Sequence, residues 1–254
     1  MQEKIIGIMG AMPEETAGVV TLLKNRKETS TGMRTYYEGE INGIKSVVVF
    51  SRWGKVAAAT TATVLINQFK VTEIIFCGVA GALAPDLKVG DIVVGKQFIQ
   101  HDMDSRPILK QYELPFIKKT FIECRIEQLE RATKAVEQLL DPENLHNSFL
   151  PEELAAFQIT NPKMRVGDIA SGDQFFANTE QKEALLHHLP TISCVEMEGA
   201  AVAQVCYEYD IPLTVIRTIS DSADEQSPLD FPSFLKKIAS QYSMRIIENI
   251  YQNQ

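Results

Sequence analysis

Apolar, β-branched runs recur along this chain at 4–12, 44–52, 73–79, 91–101, 164–172, 191–197 and 212–220, and stretches with helical spacing separate most of them. Such a chain folds as a mainly parallel sheet covered by helices, because continuous Val/Ile/Leu runs suit strands buried on both faces. The helical stretches are 14–25, 55–69, 124–140, 178–189, 198–209 and 230–252; in the last, Leu235, Ile238, Tyr242, Ile246 and Ile250 form one apolar stripe that reads as core packing. One pairing must be antiparallel, since 33–41 and 44–50 flank Asn42-Gly43, residues suited to the positive φ angles of a tight hairpin turn. The expected fold is α/β, with a central mixed, twisted β-sheet flanked by helices. Residues 1–254 read as a single domain: a 45% hydrophobic content supports one large core, and no stretch has a linker's composition. Residues 103–122 lack a clear period and are too long for an ordinary connection, so they read as a functional loop or lid, or else as a surface excursion.

Charge and motif content remove several function classes. A formal net charge of −8 argues against a phosphate-backbone binder, leaving small molecules as partners and no nucleic acid. No run approaches the roughly 20 apolar residues of a membrane span. A secretory signal at 1–12 is set aside, because Glu3 and Lys4 cancel and the apolar run belongs to the first strand. Cys77, Cys124, Cys194 and Cys206 form no C-x-x-C pair, which suits reduced thiols and a cytoplasmic location. Neither a G-x-G-x-x-G nor a G-x-x-x-x-G-K-[ST] phosphate loop is present, and no G-x-S-x-G elbow accompanies the four histidines. His101, Asp102 and Asp104 lack a second cluster that would complete a metal site, so neither metal nor organic cofactor is expected.

What remains is a set of acids where strands run out. Glu14 and Glu15 follow the first strand, with Pro13 early in the helix that begins there; Glu196 and Glu198 follow another strand, and Asp221 ends a third. Ligands of open α/β sheets bind outside the carboxyl ends of the strands, so these acids point toward one pocket. Each alone is also explained as a helix cap or a partner of the helix dipole. Together they suit glycosidic cleavage, in which one acid protonates the leaving group and a carboxylate activates water. Glu196 and Glu198, two residues apart, are expected on the same side of a strand, one catalytic and the other an ion-pair partner.

Five segments carry a family resemblance: Gly-Ala-Met-Pro-Glu-Glu at 10–15, Gly-Val-Ala-Gly-Ala-Leu-Ala-Pro-Asp-Leu-Lys-Val-Gly-Asp-Ile-Val-Val at 78–94, Ala-Ser-Gly-Asp-Gln-Phe at 170–175, Val-Glu-Met-Glu-Gly-Ala-Ala at 195–201 and Ile-Ser-Asp at 219–221. The chain resembles the methylthioadenosine/S-adenosylhomocysteine nucleosidases of the nucleoside phosphorylase superfamily nearly end to end, fading at about 103–160. The resemblance implies hydrolysis of the N-glycosidic bond of 5′-substituted adenosines, in methionine salvage, by a cytoplasmic homodimer.

It also implies residue roles. Asp221 is the general acid toward adenine N7 and must hold its proton in a desolvated site, with Ser220 steering it. Glu15 deprotonates the attacking water, Arg217 orients Glu15 or the water unless it is a structural counter-charge, and Glu198 accepts from the ribose hydroxyls. Met197 and Glu196 lie near the ribose, Phe175 stacks on the purine, backbone groups of Phe176 read its edge, and Phe231, after 227–230, closes over the 5′ substituent. Ala80 and Gly81 belong to the same binding segment. The loop after His101 is expected to complete the 5′ pocket of the other subunit. Two positions depart from the family pattern: Val79, where a hydroxyl residue is common, and Trp53, where a smaller aliphatic residue is usual. Phosphorolysis is the rival reaction, with Arg52, Lys55 and Arg217 as the basic residues available to hold phosphate. The same residues are also compatible with aminofutalosine hydrolysis, or with a catalytically idle nucleoside-binding protein.

Overall fold

The computed structural model describes residues 3–253, except for the side chains at 228–230, 233 and 236. The element order is β1 (Ile5–Gly10), α1 (Pro13–Leu22), β2 (Lys24–Thr31), β3 (Arg34–Ile41), β4 (Ile44–Phe50), α2 (Lys55–Asn67), β5 (Glu73–Ala82), β6 (Ile92–Gln100), β7 (Ile122–Glu123), α3 (Ile126–Leu140), α4 (Pro142–Ser148), α5 (Pro151–Ala156), β8 (Met164–Ser171), α6 (Thr179–His188), β9 (Ile192–Glu196), α7 (Gly199–Glu208), β10 (Leu213–Asp221), α8 (Ser227–Phe234), a π turn (Leu235–Ala239) and α9 (Ser240–Gln252).

The ten strands of the described residues join one sheet, mixed as the Asn42-Gly43 hairpin requires; these two residues take φ of 50° and 79°. The strands β2-β3-β4-β1-β5 form an open half, in which β1 pairs parallel with both β4 and β5. The other half closes on itself: β5 pairs with β9, β9 with β8, β8 with β6, β6 with β10, and β10 returns to β5. The β5–β9 contact is antiparallel and confined to Gly81↔Val195 and Ala82↔Cys194. Gly81 and Ala82 are the last two residues of β5, and their partners fall within the second half of β9, so β5 runs out against β9 just before β9 ends at Glu196. Asp221, at the end of β10, is in register with Gly81 at the same place.

Helices cover both faces. α1, α3 and α9 share one core, in which Val19, Val136, Tyr242, Ile246 and Ile250 are buried, and α2 and α7 pack the other through Ala58, Leu65, Val202 and Cys206. The whole stripe from Leu235 to Ile250 is buried. Burying a Leu, Ile or Phe side chain is worth about 1.5–3 kcal/mol, so this stripe fixes the closing helix firmly.

Some expected boundaries shift. The first helix stops at Leu22 rather than 25, and an unforeseen strand begins at Lys24. Lys-Asn-Arg-Lys-Glu-Thr-Ser-Thr has no buried face; it is an edge strand held by ladder bonds to β3 alone, so it carries no apolar alternation to read. α4 and α5 also escaped the sequence reading, although each starts with Pro at its first turn, and Asp141 accepts from Glu143 N and Asn144 N as the α4 cap. The expected helix at 230–252 begins at Ser227 and is interrupted by the π turn. Residues 103–122 form successive turns held by a Leu114↔Lys119 bridge, with Leu114 buried. Among the described residues, no helix is long and apolar enough to cross a membrane.

Candidate active site

A cleft opens where β1, β5, β9 and β10 end. Its lining includes Glu15, Val79, Ala80, Gly81, Glu196, Met197, Glu198 and Asp221, walled by Trp53, Phe175, Phe176 and Phe231. Ala11, Met12, Gln174 and Val195 also line it and were not singled out from sequence; each neighbours a motif residue, which was the available signal.

Helix starts hold three of the acids. Glu15 lies in the first turn of α1, where its Oε2 accepts from Ala11 N (2.5 Å) and Met12 N (3.0 Å) and its Oε1 from Val79 N (3.1 Å). Burial pushes its pKa up, against the lowering field of Arg217 and those three amides. A carboxylate raised in this way is a stronger base than an exposed one. Val79 thus enters the site through its backbone, its side chain offering no hydrogen bond.

Glu196 and Glu198 part company, contrary to the expectation of a shared strand face. β9 ends at Glu196, and Glu198 already caps α7 with φ −137° and ψ −41°. The Glu196 carboxylate accepts from Glu198 N (3.1 Å), from Gly199 N (2.9 and 2.8 Å), from Ser171 Oγ, and from Arg217 Nη2 at 2.8 Å. Glu198 instead turns to α2 and accepts from Gly54 N at 2.7 Å. Its pKa is raised, first by burial and then by the neighbouring Glu196 charge.

Arg217 does not line the cleft. It is buried beneath it, paired with Glu196, with Nη1 donating to Phe76 O (3.1 Å) and Ile216 O (3.3 Å) and its guanidinium 4.2 Å from the Phe76 ring centroid. Of the two roles expected for it, the pairing with Glu196 is the contact it makes here, and its field acts on Glu15 by lowering that pKa. Ser220 is likewise behind the surface, donating to Asp221 Oδ2 at 2.8 Å, while Asp221 Oδ1 accepts from Ala223 N at 2.9 Å. Asp221 itself is buried.

The aromatic wall has a closed and an open end. Phe176 is buried, with His101 edge-on at 5.3 Å, whereas Phe175 is 43% exposed and meets Phe231 edge-on at 5.7 Å. Trp53 is 59% exposed at the mouth. The segment 228–230, expected to precede the closing Phe231, lies outside the described side chains. No residue of 103–122 lines the cleft within this chain.

The basic residues nominated for phosphate are all elsewhere. Arg52 Nη2 donates to Met33 O, Lys55 pairs with Asp102 at 2.6 Å, and Arg217 pairs with Glu196. Among the lining residues there is no Lys, Arg or His. Asp102 faces Lys55 while the His101 ring packs on Phe176, and among the described residues no group of three or more His, Cys, Asp or Glu could hold a metal ion.

Comparison with known proteins agrees with this geometry. The profile of the phosphorylase superfamily matches residues 5–251. A 5′-methylthioadenosine/S-adenosylhomocysteine nucleosidase of Psychromonas ingrahamii is 35% identical over 248 residues, covering 98% of each chain. An aminodeoxyfutalosine nucleosidase of Helicobacter pylori is 35% identical over 235 residues, 92% of each chain. The crystal structure of a 5′-methylthioadenosine/S-adenosylhomocysteine nucleosidase from Colwellia psychrerythraea, in complex with adenine, superposes with a TM-score of 0.86 at 32% identity, covering 99% of this chain and 96% of that one. With its β5–β9–β8–β6–β10 ring and acids gathered where those strands end, the chain belongs to the phosphorylase superfamily and, within it, to the 5′-methylthioadenosine/S-adenosylhomocysteine nucleosidase family.

Proposed function

We propose that the cleft hydrolyses the N-glycosidic bond of 5′-methylthioadenosine and S-adenosylhomocysteine, releasing adenine and the 5′-thioribose. The observation that carries this reading is a lining that, among the described residues, has four carboxyl side chains and no cation. Phosphate needs arginines or lysines around it, and carboxylates repel it; water needs a base. Acids alone therefore favour hydrolysis over phosphorolysis.

In this reading Asp221 delivers a proton to purine N7 as the C1′–N9 bond breaks, and the bonding electron pair leaves with adenine. Water attacks C1′ from the opposite side, and Glu15 takes its proton. The sugar passes through an oxocarbenium-like state, against which the ribose hydroxyls held by Glu198 strengthen their hydrogen bonds. Phe175 stacks on the base and the Phe176 backbone reads its edge, Met197 lies against the ribose, and Trp53 and Phe231 form the apolar end suited to a thioether. Arg217 and Ser220 act as positioning residues, through Glu196 and Asp221.

The reading extends to assembly and setting. Phe116 is fully exposed and Ile108 is 86% exposed in the loop after His101, which supports closure of the 5′ end by a second copy in a homodimer. Four free thiols suit a cytoplasmic protein, and the products suit methionine salvage. Aminodeoxyfutalosine is a second substrate reading, supported by a relative of equal identity and by the exposed Trp53 mouth. Incubation with methylthioadenosine, S-adenosylhomocysteine, aminodeoxyfutalosine and inosine in phosphate-free buffer tests the proposal: adenine release from a thio-substituted adenosine is expected, and release from inosine alone would overturn it.

A further inference from the structure

The N-terminus of α2 has no cap from its own sequence: Gly54, at the cap position with φ +88°, has no side chain to supply one. Its exposed amides are taken up by carboxylates from two distant elements. Gly54 N donates to Glu198 Oε1 (2.7 Å), and Lys55 N donates to Asp173 Oδ1 (2.8 Å). Asp173 N donates in turn to Asp102 Oδ2 (2.9 Å), and Lys55 Nζ returns to Asp102 Oδ1 (2.6 Å) and to Gln100 Oε1 (3.3 Å). The ring Lys55–Asp102–Asp173 thus ties the start of α2 to the segments after β6 and β8.

Two consequences follow for the cleft. Gly54 N is the one donor to the Glu198 carboxyl among the described residues, so the position of the α2 start sets where that carboxyl points. The fit is tight as well: a Cβ at Gly54 would stand 2.9 Å from Asp173 Oδ1, on a backbone that L-residues adopt with strain. Exposed ion pairs are worth little to stability, and this pair is about one-fifth exposed on each side, so its geometry matters more than its energy.

We infer that Lys55, Asp102 and Asp173 form a latch of positioning residues that fixes the Glu198 carboxyl against the ribose through Gly54 N. The inference rests on the reading of Glu198 as the ribose-hydroxyl acceptor. None of the three latch side chains lines the cleft, so each acts only through the loop it holds.

The test is a double-mutant cycle on adenine release from methylthioadenosine, measured by single turnover with enzyme in excess, using Lys55→Met, Asp102→Asn and Glu198→Gln. Lys55→Met and Asp102→Asn are each expected to lower kcat/KM about 10-fold, with Lys55→Arg within threefold of wild type and melting temperatures held. In the Glu198→Gln background, either latch substitution should cost less than twofold, because the carboxylate it positions is gone. A latch substitution that leaves kcat/KM unchanged while Glu198→Gln loses activity overturns the latch alone. An equal tenfold loss in both backgrounds overturns it too, assigning the effect to another route. Full activity of Glu198→Gln overturns the ribose role and the latch with it.

Discussion

Asp221 and Glu15 sit on buried strand and helix ends with every carboxyl oxygen met by a donor, so the isosteric amides keep the volume and remove the acid or base, at the cost of turning an NH2 toward one of those donors. Asp221→Asn and Glu15→Gln are each expected to lower adenine release 10²-fold or more, within the range of general acid–base catalysis, with the fold kept by circular dichroism. Glu15 also sets a pH limb. Its pKa stands above the ordinary 4.5, so the base is protonated and lost as pH falls, and kcat/KM should decline on an acid limb centred above 4.5 that Glu15→Gln abolishes. Glu198 makes the complementary contribution to stability. Its folded pKa is pushed up to about 8 from 4.5, so the folded state binds more protons than the unfolded one across that window. The contribution to stability is present below pH 4.5 and is lost as pH rises through about 8. Glu198→Gln should therefore melt increasingly above wild type as pH is raised from about 5 to about 8, a difference scanning calorimetry reads directly.

At the scale of elements, the β9–α7 junction carries the largest electrostatic commitment. Glu196 and Arg217, 7% and 1% exposed, are paired across two strands at 2.8 Å, and Glu196 also closes the start of α7. Removing one partner leaves the other charge buried alone, which typically costs about 3–5 kcal/mol. Arg217→Met is thus expected to lower the denaturation midpoint sharply, and Arg217→Met/Glu196→Gln to recover part of the loss. The local signals here were legible in the sequence. Strand-to-acid junctions at Glu15, Glu198 and Asp221, the Asn42-Gly43 turn and the Leu235–Ile250 stripe are all patterns of near neighbours, and the structure brings those three acids to one cleft. Long-range pairing was not legible. That Arg217 would choose Glu196 over Glu15 depends on where β9 and β10 lie across the ring, and β2 has no buried face to announce it. The Glu196/Glu198 expectation failed for a simple reason: the strand ends at Glu196 and Glu198 is already the cap of α7, so period-two alternation does not extend from one to the other.

For the whole molecule, closure of the five-strand ring is what gathers the site. Acids from the two ends of the sequence share a pocket because β1 and β10 both pair parallel with β5, which brings Glu15 and Asp221 to its carboxyl end beside the short β5–β9 crossing. The exposed Ile108 and Phe116 lie outside that cleft, and their burial against a second copy is a separate expectation. Ile108→Ser/Phe116→Ser should shift the protein toward monomer by sedimentation and raise KM for thio-substituted adenosines more than it lowers kcat. The central claim, that acids in a cation-free cleft direct water rather than phosphate to the anomeric carbon, is tested most directly by running the reaction in ¹⁸O-water with added phosphate and weighing the sugar product. One ¹⁸O in free thioribose, at a rate independent of phosphate, is the predicted result; an unlabelled sugar phosphate whose formation rises with phosphate would contradict it.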